Sequence, residues 1–351
     1  MEAQGAANSG SCFIHVGVHK TGTTAIQRFL AGNPEALGLA GLYYPRAGRR
    51  SADLPGHHNI ASELRHSPRF DVSAGTLADA VGEIARVRPP HACLSSEKFA
   101  SLHERERALI SLRDAVAAIG YHPRIVVYVR AQEDYAESLY AELVKHGSTR
   151  SVWSFIGEIV ERGAVAEGGT SFCFEYGQLI EDFANVFGRD AVVVRSYRDD
   201  GGAETLVHDF LSAVGVAARI PPAAIVEPTA YENLRTTTGA VIVQLYANTA
   251  AELGDGRFGD VGTGIVACDR VAASQSFMPL GRTDRERIVA RFAGDNARLI
   301  RLWHVDSATL DRQGGPCDTE PARRARDLFA HAEAIRAARV SAASAGSPRA
   351  L

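Results

Sequence analysis

The stretch that decides the fold is SCFIHVGVHKTGTT, residues 11–24. Apolar side chains cluster over residues 11–18 as in a buried strand, Gly22 permits a tight turn, and AIQRFL at 25–30 begins a helical pattern. The backbone N–H groups at a helix start, together with the positive end of the helix dipole, attract anions. The stretch therefore predicts strand 11–18, an anion-binding loop and helix 23–32.

Several side chains of this loop can add donors to the backbone N–H groups. Lys20 offers a mobile cation, and a His at a strand end such as His19 is either a further donor or, more often, a packed residue. Hydroxyl groups come from Thr21, Thr23 and Thr24, beside Gly22. The ATP-binding pattern G-x-x-x-x-G-K-[ST] would require lysine at position 23, whereas this chain has its lysine at position 20. The order of strand, K-T-G-T-T and helix resembles the 5′-phosphosulfate loop of sulfotransferases that use 3′-phosphoadenosine 5′-phosphosulfate (PAPS).

A second motif follows the same scheme. A β-branched strand at 124–130 ends in Arg130, and a helix with an acidic first turn is predicted over 132–146. Ser138 lies about two helical turns into that helix. In the resembled family an Arg and a Ser at this separation bind the 3′-phosphate, so the resemblance assigns that role to Arg130 and Ser138. The alternative is a strand-end ion pair of Arg130 with Glu133 or Glu137.

The order of elements predicts an α/β fold. Strands at 11–18, 92–96, 124–130, 171–175 and 191–197 alternate with helices at 23–32, 132–146, 177–187 and 203–213. Strands separated by helices indicate a central parallel sheet flanked by helices, and ligands of such sheets bind at the carboxyl ends of the strands. The resemblance implies a P-loop-like, three-layer sulfotransferase domain over 11–305. It consists of a nucleotide-binding core at 11–215 and a mainly helical part at 230–335, with flexible tails at 1–10 and 337–351.

Composition predicts a soluble enzyme. The chain has 351 residues, of which 46% are hydrophobic, and its formal net charge of −3 gives no general attraction to nucleic acid. The nearly uncharged segment 236–251 is too short and too polar to span a bilayer, and the start of the sequence lacks the features of a secretory signal. The five cysteines are odd in number and scattered, which favours reduced core residues of a cytoplasmic protein.

Two segments offer a general base. The segment HACLSSEKF at 91–99 places Glu97 just after a strand, and many members of the resembled family carry their catalytic His or Glu at the comparable place. A carboxylate near Lys20 and Lys98 would have its pKa lowered by those cations and raised by burial, and the sequence leaves the balance of the two effects open. The rival base is His58 in the segment GHHNI at 56–60. No third ligand at suitable spacing accompanies the paired histidines, so no metal is expected.

The resemblance implies a PAPS-dependent sulfotransferase. Its acceptor is expected to be a hydroxyl or amine of a carbohydrate or small metabolite, with Lys20 stabilising charge on the leaving phosphate oxygen. Two alternatives stay open. An ATP-dependent kinase would need lysine at position 23 and an acidic magnesium ligand where this chain has Arg130. A non-catalytic nucleotide-binding protein could keep both phosphate motifs and lack a working base.

Overall fold

A five-stranded parallel sheet organises the larger part of the chain. The computed structural model describes residues 10–51, 53–198, 202–220, 236–270, 275–310 and 319–346. The strands are β1 Ser11–Gly17, β2 Leu42–Tyr43, β3 His91–Ser95, β4 His122–Val129, β5 Ala164–Glu167, β6 Thr170–Cys173 and β7 Val192–Ser196. The sheet order is β2-β3-β1-β4-β7, and every pairing in this sheet is parallel. The predicted α/β class with a central parallel sheet is confirmed.

Helices fill the connections between these strands and most of the chain after β7. They are α1 Thr23–Gly32, α2 Pro34–Leu39, α3 His58–Leu64, α4 Leu77–Val87, α5 Glu106–Ala118, α6 Gln132–Lys145, α7 Val152–Arg162, α8 Tyr176–Phe187, α9 Gly202–Ala213, α10 Thr238–Leu253, α11 Arg257–Cys268, α12 Arg282–Trp303, α13 Ser307–Leu310 and α14 Glu320–Gly346. Short 3₁₀ helices cover Val72–Ala74, Glu97–Leu102, Arg189–Ala191 and Ala217–Arg219. The predicted helical C-terminal part is present. Within the described ranges, no helix has both the length and the apolar character needed to cross a membrane.

The chain forms two compact units. The first comprises Met1–Arg130, Glu175–Tyr231 and Asp295–Thr309, and it contains the parallel sheet. The second comprises Ala131–Phe174, Glu232–Gly294 and Leu310–Leu351. The predicted continuous core at 11–215 therefore differs from this division, because residues 131–174 group with the C-terminal helices.

The core of the first unit packs α1 and α9 against one face of the sheet. Alternate residues of β1 and β4 face this layer, so that Phe13 and Tyr128 join Phe29 and Phe210 in one buried cluster. A buried aromatic side chain contributes about 2–3 kcal/mol relative to leaving it in water. This packing fixes β1 and α1 on either side of the loop at 18–22.

The second unit has its own aromatic core. The ring of Tyr140 on α6 packs against the rings of Phe155, Phe277 and Phe329. Arg285 on α12 forms ion pairs with Asp134 at 3.0 Å and with Glu137 at 2.7 Å. Glu137 thus forms a buried ion pair within this unit.

Two sequence predictions differ from the structure. The strand predicted at 171–175 is not part of the parallel sheet: β6 pairs antiparallel with β5, because Gly168 and Gly169, with φ of 55° and 75°, close a tight hairpin. The tail predicted from residue 337 is helical as far as Gly346, and residues 1–9 and 347–351 of the predicted tails lie outside the described residues. Cys12 and Cys93 are buried free thiols, as expected of core cysteines.

Candidate functional site

Three of the predicted site residues meet at one edge of the sheet. Because β1, β3 and β4 are adjacent and parallel, their carboxyl ends lie together, and the chain continues from them into Lys20, Glu97 and Arg130. The connections are tied by hydrogen bonds: the N–H of Ser96 donates to the carbonyl of His15 at 3.1 Å. The edge is therefore built by the first unit.

The loop after β1 has the backbone form of an anion-binding loop. Gly22 has φ of 72° and immediately precedes α1, and none of the described side chains caps the helix start. A Cβ on Gly17 would collide with the hydroxyl oxygen of Thr23, and a Cβ on Gly22 would collide with Leu206. Glycine is therefore favoured at both positions, because neighbouring side chains lie too close for a Cβ atom. The first N–H groups of α1 have no side-chain cap and are directed at the loop.

The side chains of the loop differ in what they can offer. Lys20 is half-buried and has φ of 66°. The hydroxyl of Thr21 is buried and donates to the carbonyl of Val18 at 2.6 Å, so its only proton is used to hold the turn. Thr24 is exposed, and the buried Thr23 hydroxyl has no hydrogen-bond partner among the described residues. Thr23 is thus a hydroxyl that the described part of the protein does not satisfy.

Arg130 supports the loop directly. Its Nη1 donates to the carbonyl of Lys20 at 3.0 Å, and its guanidinium lies over the ring of Tyr197, 5.4 Å from the ring centroid. The alternative, a strand-end ion pair of Arg130 with Glu133 or Glu137, stays a prediction. Ser138 lies half-buried on α6 in the second unit, so its shared role with Arg130 stays a prediction.

Glu97 and His58 form a pair. Glu97 begins the 3₁₀ helix Glu97–Leu102, His58 begins α3, and Nδ1 of His58 lies 3.5 Å from Oε1 of Glu97. Nδ1 of His58 also lies 2.9 Å from the hydroxyl oxygen of Ser96, which accepts the N–H of Lys98 at 3.2 Å. The two candidate bases that the sequence offered as rivals are therefore neighbours.

The environment sets the charge of this pair. Burial alone would raise the pKa of Glu97, but His58, His19 and the hydrogen bond from Gln27 outweigh it and lower that pKa below its ordinary value. Burial lowers the pKa of His58, against the opposing charge of Glu97, and burial likewise lowers the pKa of His19. Near neutral pH this gives an ionised carboxylate beside neutral imidazoles.

His57 has a structural role. Its Nε2 donates to the carbonyl of Pro45 at 3.1 Å, and its Nδ1 accepts the N–H of Ser95 at 3.1 Å. These two bonds fix the tautomer, and burial lowers the pKa of His57 to about 3. His57 therefore connects residue 45 to β3 and leaves its neighbour His58 to face Glu97.

Sequence reasoning missed Gln27. Its Nε2 donates to Oε2 of Glu97 at 3.3 Å, and a Cβ on Gly56 would lie 2.7 Å from the Gln27 amide, so this amide is held between Gly56 and the carboxylate. The sequence contained a signal for Gln27: it lies one helical turn after Thr23 and therefore on the same face of α1 as this residue of the loop. Gln27 is a buried polar residue that links the helix of the loop to the predicted base.

No metal centre is evident among the residues that the structure describes: they contain no cluster of three or more His, Cys, Asp or Glu side chains suited to a metal ion.

Fold and site together define an α/β protein with a glycine- and threonine-containing loop after its first strand and a Glu–His pair at the same sheet edge. No family model matches the chain, and no curated protein matches it. A solved structure that resembles it is that of a sulfotransferase from Alicyclobacillus acidocaldarius, with 17% identity and a TM-score of 0.46 over 84% of this chain and 96% of that one. The function therefore has to be inferred from the geometry of the site.

Proposed function

We propose that this protein is a PAPS-dependent sulfotransferase that transfers a sulfuryl group to a hydroxyl or amine of a carbohydrate or small-metabolite acceptor. The observation that carries the proposal is the position of the Glu97–His58 pair at the sheet edge that also bears the Lys20 loop. An anion-binding loop and a proton acceptor at one edge are the two things that sulfuryl transfer from a phosphosulfate requires.

The loop fits the phosphosulfate end of PAPS. The helix start offers uncapped N–H groups, Lys20 offers a cation, and the buried Thr23 hydroxyl lacks a partner among the described residues. Thr21 is expected to contribute its N–H rather than its hydroxyl, which is bonded to Val18. Arg130 and Ser138 are the expected partners of the 3′-phosphate, and Arg130 would then also hold the carbonyl of Lys20.

PAPS supplies a sulfur that is attacked by the acceptor oxygen or nitrogen while the bond from sulfur to the phosphate oxygen breaks. Lys20 and the N–H groups of α1 would stabilise the charge that gathers on that phosphate oxygen. Glu97, whose lowered pKa keeps it ionised near neutral pH and into mildly acid solution, would accept the proton that the acceptor loses.

His58 remains the alternative base. An ionised Glu97 at 3.5 Å from Nδ1 favours the tautomer that carries its proton on Nδ1, which leaves a lone pair on Nε2. In that arrangement Glu97 orients the imidazole and Nε2 of His58 takes the proton. The two assignments place the same charge at the same edge and differ in which side chain touches the acceptor.

The kinase alternative is disfavoured by the residues that follow the strands. A P-loop kinase uses a loop lysine before the helix Ser/Thr and an acidic magnesium ligand on a neighbouring strand, where this chain has Thr23 and Arg130. The positive charge that a kinase takes from its metal is available here from Lys20 and α1.

Transfer of labelled sulfate from PAPS to a mixture of acceptors, in excess chelator, tests the proposal. We expect transfer without added metal and no comparable phosphate transfer from ATP. Strict magnesium dependence with phosphate transfer would establish the kinase instead. Tight binding of adenosine 3′,5′-bisphosphate without any turnover across the acceptors would favour a non-catalytic nucleotide-binding protein.

A further inference from the structure

Positive charge is concentrated in the connection that carries His58. Residues 46–69 contain five arginines but only two acidic residues, Asp53 and Glu63, although the whole chain has a formal net charge of −3. The arginines are Arg46, Arg49, Arg50, Arg65 and Arg69. An excess of one sign in the segment that reaches the predicted base is a local feature of the site rather than a general property of the surface.

Contacts bring part of this charge to the Glu97–His58 pair. Nη2 of Arg50 donates to Oδ1 of Asn59, the residue after His58, at 3.4 Å, and it also donates to the carbonyl of Arg69. The charge of Arg50 contributes to lowering the pKa of His58, after the larger effect of burial. Arg50 is thus fixed beside the candidate base by contacts to neutral oxygens.

Lys98, which directly follows Glu97 in the chain, adds a further cation, and its charge also contributes to lowering the pKa of His58. Burial, and then the charges of Arg50, Arg69 and Arg65, lower the pKa of Lys98 against the opposing effect of Glu97. These side chains therefore lie close enough together to repel one another. A bound anion would relieve this repulsion.

The carboxylates of this region are used by other donors. The carboxylate of Asp71 accepts the N–H and the hydroxyl of Ser73, which lower its pKa more than the charge of Arg50 does, and the carboxylate of Glu63 accepts the N–H of Leu77. In the described parts of the chain, no carboxylate forms an ion pair with Arg50, Arg69 or Lys98. We name these three cations the Arg50–Arg69–Lys98 cluster.

We propose that the acceptor is itself an anion: a hydroxyl compound that carries a carboxylate, phosphate or sulfate group, held by the Arg50–Arg69–Lys98 cluster while its hydroxyl faces Glu97. This inference rests on the proposed sulfotransferase function. Guanidinium groups bind carboxylate, phosphate and sulfate oxygens through paired hydrogen bonds, which an uncharged acceptor does not offer. The Lys20 loop would hold the donor, whereas the cluster is drawn from residues 50, 69 and 98, so the two anions have separate binding groups.

The experiment compares saccharides matched in all but charge. The protein is saturated with adenosine 3′,5′-bisphosphate, so that the donor loop is filled, and is titrated with glucose, glucuronate, glucose 6-phosphate and glucose 6-sulfate. Sulfate transfer from labelled PAPS to the same four compounds is measured in parallel. The test variant is the double substitution Arg50→Gln with Arg69→Gln. The matched control, Arg86→Gln with Arg301→Gln, removes the same charge from two exposed arginines elsewhere in the first unit.

We expect at least one charged saccharide to bind about tenfold or more tightly than glucose, the scale of one charge-assisted hydrogen bond. The double variant should lose most of that preference, the control should keep it, and added salt should weaken it. Equal binding of glucose and the charged saccharides, no binding of any of them, or equal losses in both variants would overturn the inference. Charge-dependent binding without sulfate transfer from PAPS would instead retain the anion site and refute the sulfotransferase function.

Discussion

Replacing Lys20 with alanine should lower the rate of sulfuryl transfer by about 10²–10³-fold, the usual loss when one donor to developing negative charge is removed. This corresponds to about 2.7–4 kcal/mol of transition-state stabilisation. Stability should change little. Lys20 is half-buried with φ of 66°, in the left-handed region, and alanine keeps the Cβ and therefore the same backbone cost.

A glycine variant separates the charge from the backbone. Lys20→Gly removes the left-handed cost of about 1–2 kcal/mol but adds about 0.4–1 kcal/mol of unfolded-state entropy, so its free energy of unfolding should lie between that of wild type and about 1.6 kcal/mol above it. Its rate should fall as far as that of Lys20→Ala, because both lack the cation. Lys20→Arg keeps the charge and should retain more activity than either, although its geometry differs.

The assay is transfer of labelled sulfate from PAPS, with thermal unfolding of each variant as the folding control. The chain has three lysines, and exposed Lys145, 3.7 Å from Glu142 on α6, supplies the matched control Lys145→Ala, which should behave as wild type. Near wild-type transfer by Lys20→Ala would refute the assignment of the loop. Activity retained by the glycine variant and lost by the alanine variant would show that backbone conformation, not charge, is what matters at Lys20.

Three further predictions concern the base and the nucleotide. Glu97→Gln should slow the chemical step by about 10²–10⁴-fold with little change in affinity for adenosine 3′,5′-bisphosphate. His58→Gln should slow this step less. A larger loss of rate at His58 would move the base role to that residue. Because the pKa of Glu97 is lowered, activity should persist into mildly acid solution and fall as pH drops through that pKa. Gln27→Leu removes a hydrogen-bond donor to the carboxylate of Glu97 and should therefore raise its pKa, so the acid limb of the rate–pH profile should move to higher pH by up to about one unit. An acid limb that does not move would contradict a positioning role for Gln27. In calorimetric titration, wild type should bind the bisphosphate at least about tenfold more tightly than AMP. Arg130→Ala should abolish most of this preference, and Ser138→Ala should abolish less of it. Equal weakening of the binding of both nucleotides by Arg130→Ala would leave Arg130 only its contact with the Lys20 carbonyl.

The part of the fold that the sequence predicted correctly is the part where local pattern and tertiary environment agree. Strands β1, β3, β4 and β7 are short apolar runs bounded by turn residues, and the helices between them have helical periodicity. Strand β6 has the same local pattern, but its partner is chosen by the turn at Gly168 and Gly169 and not by its own side chains. The grouping of residues 131–174 with the C-terminal helices depends in the same way on distant packing, such as that of Tyr140 against Phe329.

The sequence by itself determined the loop after β1, the three strand ends and the residues Lys20, Glu97 and Arg130 that follow them. It could do so because parallel strands place their carboxyl ends at one edge whatever the details of packing. Only the tertiary structure decided how the side chains are used: it brought His58 and Gln27 to the two oxygens of Glu97 and joined Arg130 to the carbonyl of Lys20. These contacts join residues far apart in the chain, and whether a polar group bonds to a neighbour in space or stays available to a ligand depends on the fold, which local sequence patterns do not encode.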